Sequence, residues 1–351
     1  MQSNIPESIK FKQKLKLHNL KNHPIEILKT HIYKYFNSLH YDFKIYDNLD
    51  PVVTIQDNFD KLLIPLNHPA RSKSDTYYIN DNLVLRTHTS AHQNNLLSNK
   101  ERVFLVTGDV YRKDEINKTH YPIFHQMEGV IIFDKVVDEQ LILKEILSGL
   151  VKYLFGDVEY RFNDDYFPFT TSSLEVEVKY RNEWLEILGC GVIHSEILKN
   201  NNITTSGIAF GLGIDRLCMI LFDIPDIRLL WNLDEKFLSQ FSDGKIKKFI
   251  PYSKFDSMSR DISFYVLSGS TDKIQFNENE LYEIIRAFEN TEILIEEVKL
   301  IDTFKNSKTY RIIYNVNHNI TNHSLFTELV NKSIHPQIVS KIIDTFNIQI
   351  R

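Results

Sequence analysis

Two strand-like runs, Val103 to Tyr111 and Val130 to Val137, flank the segment that most constrains this chain. The stretch Gly108-Asp-Val-Tyr-Arg-Lys-Asp-Glu-Ile-Asn-Lys-Thr-His-Tyr-Pro-Ile-Phe-His-Gln-Met-Glu-Gly129 packs an arginine, two histidines, an amide and several carboxylates between β-rich text. A hairpin with that lining is built to hold ligands. Arg112, at the end of one strand, presents a planar fork suited to phosphate, while Gln126 and Glu128, two apart on the returning strand, point to the same face. One face therefore binds both an anion and a cation.

At 351 residues the chain has room for two domains, and its 42% apolar content is that of an ordinary globular protein. The formal charge of -5 gives no global electrostatic forecast of nucleic-acid binding, so any such site is a local patch. The two cysteines, Cys190 and Cys218, sit in Leu-Gly-Cys-Gly and Arg-Leu-Cys-Met contexts that read as buried free thiols. No apolar run approaches the roughly 20 residues that span a bilayer, so no membrane partner is expected. Lys10, Lys12, Lys14, Lys16 and Lys21, with Glu7 as the only early acid, fit either the remains of an organellar presequence or a solvated basic extension.

Along the chain, Ile25, Leu28, Ile32 and Phe36 form a helical stripe within Pro24 to Leu39. Asp138 to Leu154 reads as an amphipathic helix, and Leu174 to Tyr180 and Trp184 to Val192 as strands. The run Gly207-Ile-Ala-Phe-Gly-Leu-Gly-Ile-Asp-Arg-Leu-Cys-Met-Ile-Leu-Phe222 passes from a glycine-rich strand into an apolar helix. Gly-x-Gly after a strand also suits a dinucleotide fold, but that needs repeated βαβ units, which the hairpin-rich surroundings do not supply. Asp243-Gly244 and Lys245, Lys247 and Lys248 mark a linker. Beyond it come a strand (Arg260 to Leu267), a helix (Glu278 to Phe288), two strands (Ile293 to Phe304, Tyr310 to Val316), a helical tail from about Ser324 to Phe346 interrupted near Pro336, and Asn347-Ile-Gln-Ile-Arg351. That β-α-β-β-α-β order is ferredoxin-like.

The hairpin, with Thr119-His120 and Phe124-His125-Gln126-Met127-Glu128-Gly129, resembles motif 2 of class II aminoacyl-tRNA synthetases in its phenylalanyl form. Phe59 to Pro65 leading into Asn67-His68-Pro69-Ala70-Arg71 is similar to motif 1, and the Gly207 to Phe222 run to motif 3. The C-terminal part, including Arg260-Asp-Ile-Ser-Phe264, resembles the anticodon-binding domain of single-chain mitochondrial members. The resemblance covers roughly Leu17 to Arg351 and implies an α+β fold: a class II antiparallel sheet with flanking helices in residues 1–242, a linker at 243–257, and a ferredoxin-like anticodon-binding domain at 258–351.

The chemistry implied is attack of a phenylalanine carboxylate on the α-phosphorus of ATP, then transfer of the acyl group to the terminal adenosine of tRNA(Phe). Such a reaction runs on positioning and charge neutralisation. By resemblance, Arg112 holds the α-phosphate and the carboxylate, and Arg216 meets the γ-phosphate and adenine. Thr119, His120 and Tyr121 line the nucleotide site and Phe124 stacks on adenine. His88, Ser90, Ala91, His92 and Gln93 bind the amino acid's polar end, and Gln126, Met127 and Glu128 line the same site, Gln126 and Glu128 accepting its ammonium. Phe167 and Phe169 embrace the phenyl ring and Phe210 completes the wall. Gly189, Gly191, Gly211 and Gly213 admit substrate close to backbone. Glu186, a carboxylate in an apolar strand, reads as buried and in need of a ligand, arginine or metal partner.

At one place the chain departs from the family: after Phe-Pro-Phe-Thr the bacterial catalytic subunits have a Glu-Pro that contributes to magnesium binding, and here Thr171-Ser172 follow. Mg2+ is expected with ATP, but no residue is named as its ligand. The expected protein is an organellar monomer of the mitochondrial matrix. A ligase for another amino acid is opposed by Phe167-Pro-Phe169, and an inactive RNA-binding paralogue by the presence of Arg112, Gln126, Glu128 and Arg216 together.

Overall fold

A computed structural model describes residues 3–250, 257–267, 273–290, 292–316 and 322–351. Residues 251–256 of the expected linker lie outside them. The chain divides into two units: Met1–Arg112 with Ile123–Phe249, and Lys113–Pro122 with Ile250–Arg351. The ten-residue tip of the central hairpin thus belongs to the second unit, whereas the sequence places it in the first.

The strands, in chain order, are β1 (Lys44–Tyr46), β2 (Val52–Thr54), β3 (Leu83–Leu85), β4 (Val103–Tyr111), β5 (Ile123–Ile132), β6 (Tyr160–Asp164), β7 (Thr170–Tyr180), β8 (Glu183–Ile193), β9 (Gly207–Gly213), β10 (Met258–Val266), β11 (Ile293–Phe304), β12 (Ser307–Val316) and β13 (Ile348–Ile350). In the first unit they form a seven-stranded sheet in the order β1-β4-β5-β9-β8-β7-β6, antiparallel except for the parallel edge pair β1–β4. β2 and β3 make a separate two-stranded ribbon. The returning strand β5 begins at Ile123 and ends at Ile132, so it takes in the whole Phe-His-Gln-Met-Glu-Gly run and stops short of the expected end at Val137.

One sheet face is covered by helices Pro24–Ser38, Glu139–Phe155 and Ile214–Leu221. The second of these starts where Asp138 accepts from the Leu141 N–H at 3.0 Å and ends at Gly156, whose φ of +70° favours glycine. Phe36 stacks on Phe210 with centroids 5.1 Å apart, and the Tyr35 hydroxyl donates to the Ile146 carbonyl at 2.6 Å. The N-terminal segment is folded too: Glu7–Gln13 is helical, and Ile9 and Leu17 are buried. Both cysteines are buried and free.

In the second unit β10, helix Glu278–Arg286, β11, β12, the C-terminal helices and β13 build a sheet in the order β11-β12-β10-β13, the ferredoxin-like arrangement. Phe264, Tyr310, Ile312, Leu281, Ile285, Ile338 and Ile342 fill its core. The tail is not broken near Pro336. Helix His323–Leu329 runs through a π-helical turn at Val330–Ile334 into helix His335–Thr345, and the wider turn accommodates a proline that lacks an N–H and crowds the preceding turn. Residues 113–122 belong to this unit for identifiable reasons. Ile116 is buried in its core, and its carbonyl accepts from the Val298 N–H at 2.8 Å. Lys113 pairs with Glu280 and Lys118 with Glu296, each at 2.7 Å, and Arg286 donates to the Asp114 carbonyl at 2.7 Å.

Candidate active site

The open face of the first sheet is organised by period-two alternation. Across the strands, Glu128 on β5 stands opposite Gly211 on β9, which stands opposite Gly189 on β8. A Cβ on Gly211 would meet nothing within 4 Å, whereas one on Gly189 would lie 2.7 Å from the Phe167 ring. Two strand spacings, about 10 Å, thus separate a carboxylate from an aromatic ring, with a floor bare of side chains between them. Gln126 lies beside Glu128 on the same face, opposite Gly213. Phe167 and Phe169 stack at 5.8 Å, and Gly191 is filled from above by Thr170, 2.8 Å from where a Cβ would be.

Glu128 is 3% exposed, and among the described residues neither carboxylate oxygen has a hydrogen-bond partner within bonding geometry. Burial pushes its carboxyl up to about 8, with the Ser90 hydroxyl pulling more weakly the other way. An acid held out of water without a partner awaits a cation.

The polar wall is the segment Arg86 to Gln93, whose turn Thr89–His92 packs on β4 and β5. Both ring nitrogens of His88 are out of water and make no hydrogen bond, and its ring lies 6.3 Å from that of Phe169. Burial, reinforced by the charge of Arg112, lowers His88 to about 3, so it is neutral and offers one donor and one acceptor. The Gln93 side-chain oxygen is likewise buried without a partner. His92 is held from behind: Arg86 donates to its Nε2 at 2.8 Å, which leaves the proton on Nδ1. Ala91 packs into the small apolar cluster of Val53, Tyr78 and Val84.

Arg112 is exposed at the end of β4. Its Nε donates to the Thr87 carbonyl at 2.7 Å, and its guanidinium lies over the Phe124 ring, 5.3 Å from the centroid. Arg216 follows the β9 glycines at the start of helix Ile214–Leu221 and donates to the Glu186 carbonyl at 3.1 Å and carboxylate at 3.3 Å. Glu186 is not buried: its side chain is half exposed. Glu177 pairs with Glu186 while Val176 pairs with Leu188, a one-residue bulge that turns Glu186 to the same face as Gly189.

Two predicted residues lie on the other face of the sheet, and three fall in the second unit. Phe210, opposite Gly129, points to the helix-covered face, and its ring would lie 2.0 Å from a Cβ on Gly129. Met127 alternates to that buried face as well. Thr119, His120 and Tyr121 belong to the second unit, where Asn117 caps the Thr119 and His120 amides at 2.8 and 2.9 Å. Asp114, Glu115 and His120 there are the one group of acids and histidines close enough to share a cation among the described residues.

A family model described as "tRNA synthetases class II core domain (F)" matches residues 8–241. The chain belongs to the class II aminoacyl-tRNA synthetase family. Phenylalanine--tRNA ligase, chloroplastic/mitochondrial, of Arabidopsis thaliana is 46% identical over 331 residues, spanning 89% of this chain and 75% of that protein. Phenylalanine--tRNA ligase, mitochondrial, of Saccharomyces cerevisiae is 36% identical over 434 aligned positions, spanning 99% and 92%. The phenylalanine--tRNA ligase alpha subunit of Clostridium botulinum is 43% identical over 202 residues, 52% of this chain and 59% of that one.

Two residues of this synthetase site were not singled out from sequence. Arg86, 1% exposed, donates to the Asp109 carbonyl at 2.7 Å and to its carboxylate at 3.1 Å while holding His92. An arginine between apolar Leu85 and strand-end threonine was a signal of buried pairing. Asp215, 2% exposed, accepts from the His125 backbone N–H and lies 3.2 Å from its Nδ1. Its signal was an acid in the first turn of a helix.

Proposed function

We propose that this synthetase is a phenylalanine--tRNA ligase which forms phenylalanyl-adenylate from phenylalanine and ATP and passes the acyl group to tRNA(Phe). The observation that carries the reading is the trough: an unpartnered carboxylate at Glu128, a bare glycine floor, and the Phe167 ring at the far end. A zwitterion with an aromatic side chain satisfies both ends at once. Its ammonium gives Glu128 a strong donor beside Gln126, and its ring meets Phe167 and Phe169.

In the activation step the amino acid's carboxylate oxygen attacks the α-phosphorus and the bond to the pyrophosphate oxygen breaks. Arg112 supplies a rigid, permanently charged fork where negative charge accumulates between carboxylate and phosphate. Its place beside Phe124 suits an adenine packed on the same ring. Arg216, exposed and paired with Glu186 in a surface contact, can exchange that pair for the γ-phosphate. Magnesium would neutralise the triphosphate.

The second unit's β-α-β-β-α-β order supports binding of the anticodon arm, and the presence of both units in one chain supports action as a monomer. Relatives named for mitochondria and chloroplasts support an organellar setting, the mitochondrial matrix in our reading. ATP–pyrophosphate exchange with each amino acid in turn, followed by tRNA charging, tests the proposal. Exchange with phenylalanine alone is expected, and exchange with a different amino acid or with none rejects it.

A further inference from the structure

β9 ends its pairing with β5 at Gly213, opposite Gln126, where the chain turns into helix Ile214–Leu221. The backbone N–H of the next β5 residue, His125, would there lose its strand partner inside the protein. The Asp215 carboxylate takes that place: it accepts from the His125 N–H and lies 3.2 and 3.4 Å from Nδ1 of the same residue, with both side chains out of water. The His125 ring is fixed from behind by Trp231, stacked at 5.3 Å, and by His18 at 5.5 Å.

The neighbours of these two residues make the contact consequential. His125 sits between Phe124, which carries the Arg112 guanidinium, and Gln126, on the open face. Asp215 immediately precedes Arg216. One buried carboxylate thus ties the strand that presents one half of the nucleotide site to the helix start that presents the other. A buried, charge-assisted bond to backbone holds register far more firmly than the exposed Arg216–Glu186 pair, where both side chains are about half accessible.

We propose that Asp215 is a positioning residue for ATP activation, acting through Arg216 by locking the first turn of helix Ile214–Leu221 to His125 of β5. This rests on the reading of Arg216 as the γ-phosphate ligand. Without the carboxylate, the His125 N–H and ring are left buried and unpaired, and the helix start relaxes to let water reach them. Arg216 then loses its fixed distance from Arg112 and Phe124, while the Glu128–Phe167 trough, built on β5, β9 and β8 register, is unchanged.

The test is a double-mutant cycle in pyrophosphate exchange with Asp215→Ala, Arg216→Ala and the pair, alongside Asp215→Asn. Asp215→Ala is expected to lower kcat/KM for ATP by about tenfold to a hundredfold, the range of one lost bond to a charged buried group, with KM for phenylalanine changed by less than about threefold. Asp215→Asn keeps an acceptor for the His125 N–H and should recover much of the loss; it also serves if the alanine variant does not fold. In the Arg216→Ala background, Asp215→Ala should cost under about threefold more, because its effect runs through the missing arginine. Equal losses in both backgrounds, or equal rises in both KM values, overturn the proposal. Normal exchange by Arg216→Ala alone overturns instead the reading of Arg216 on which it rests.

Discussion

Glu128 makes the functional reading measurable as protons. In the free protein its carboxyl is pushed from an ordinary 4.5 up to about 8 because burial outweighs the pull of the Ser90 hydroxyl. At pH 7 it is then about nine-tenths protonated. A phenylalanine ammonium arriving against it favours the carboxylate, so binding should release close to one proton at pH 7 and fewer as pH rises past 8. Stability follows the same linkage. The folded state keeps a proton that the unfolded chain gives up at about 4.5, so this group makes stability fall as pH rises from about 4.5 through about 8. At about 1.4 kcal/mol per pH unit, that window amounts to at most on the order of 5 kcal/mol. Glu128→Gln keeps the shape and removes the titration. It should be more stable than the parent at pH 8.5, equal or less stable at pH 4.5, and weaker for phenylalanine by about tenfold to a hundredfold through loss of one charge-assisted bond. Calorimetry of phenylalanine binding in buffers of different ionisation enthalpy counts the protons, and denaturant melts across pH follow stability. The reasoning is refuted if the parent protein exchanges less than about a tenth of a proton at pH 7 and its stability profile matches that of Glu128→Gln.

Arg112→Ala should fold normally, since the side chain is exposed, yet lose about 2.7 to 4 kcal/mol of transition-state stabilisation in pyrophosphate exchange; near-normal adenylate formation would reject its role. Phe210→Ala should cost about 3 to 5 kcal/mol in denaturant melts while leaving the selectivity for phenylalanine unchanged, as expected of a ring packed on Phe36 behind the sheet. Gly129→Ala should destabilise by about 1 to 3 kcal/mol or more, because its methyl would meet that ring, and Gly129→Ala with Phe210→Leu should recover part of the loss. Ending the chain at Lys248 looks, on sequence alone, as though it would spare adenylate formation. The structure reverses this: Ile116, Lys113 and Lys118 lose their core and their partners, so limited proteolysis should cut within 113–122 and adenylate formation should fall with it.

Much of the site was legible because strand alternation is local. Gln126 and Glu128 fall on one face two residues apart; the small residues Gly207, Ala209, Gly211 and Gly213 likewise alternate with Ile208, Phe210 and Leu212, and that alternation runs against the expectation that Phe210 completes the pocket wall beside Gly211. The order of the C-terminal elements was likewise readable, since each helix and strand has its own periodicity. Glu186 was different: its exposure depends on a bulge against β7, which depends on pairing and not on its neighbours in sequence.

By itself the sequence determined the element types, the alternation that sorts one face from the other on each strand, and the family resemblance from which roles for Arg112, Glu128 and Arg216 are proposed. Tertiary structure alone decided which distant groups share a low-dielectric space. Glu128 is lifted to about 8 because burial outweighs the Ser90 hydroxyl, Asp215 meets an amide ninety positions away, and Lys113–Pro122 joins a unit whose remainder begins at Ile250. Burial and partnership are properties of surroundings assembled from many segments, and no window of local sequence contains them.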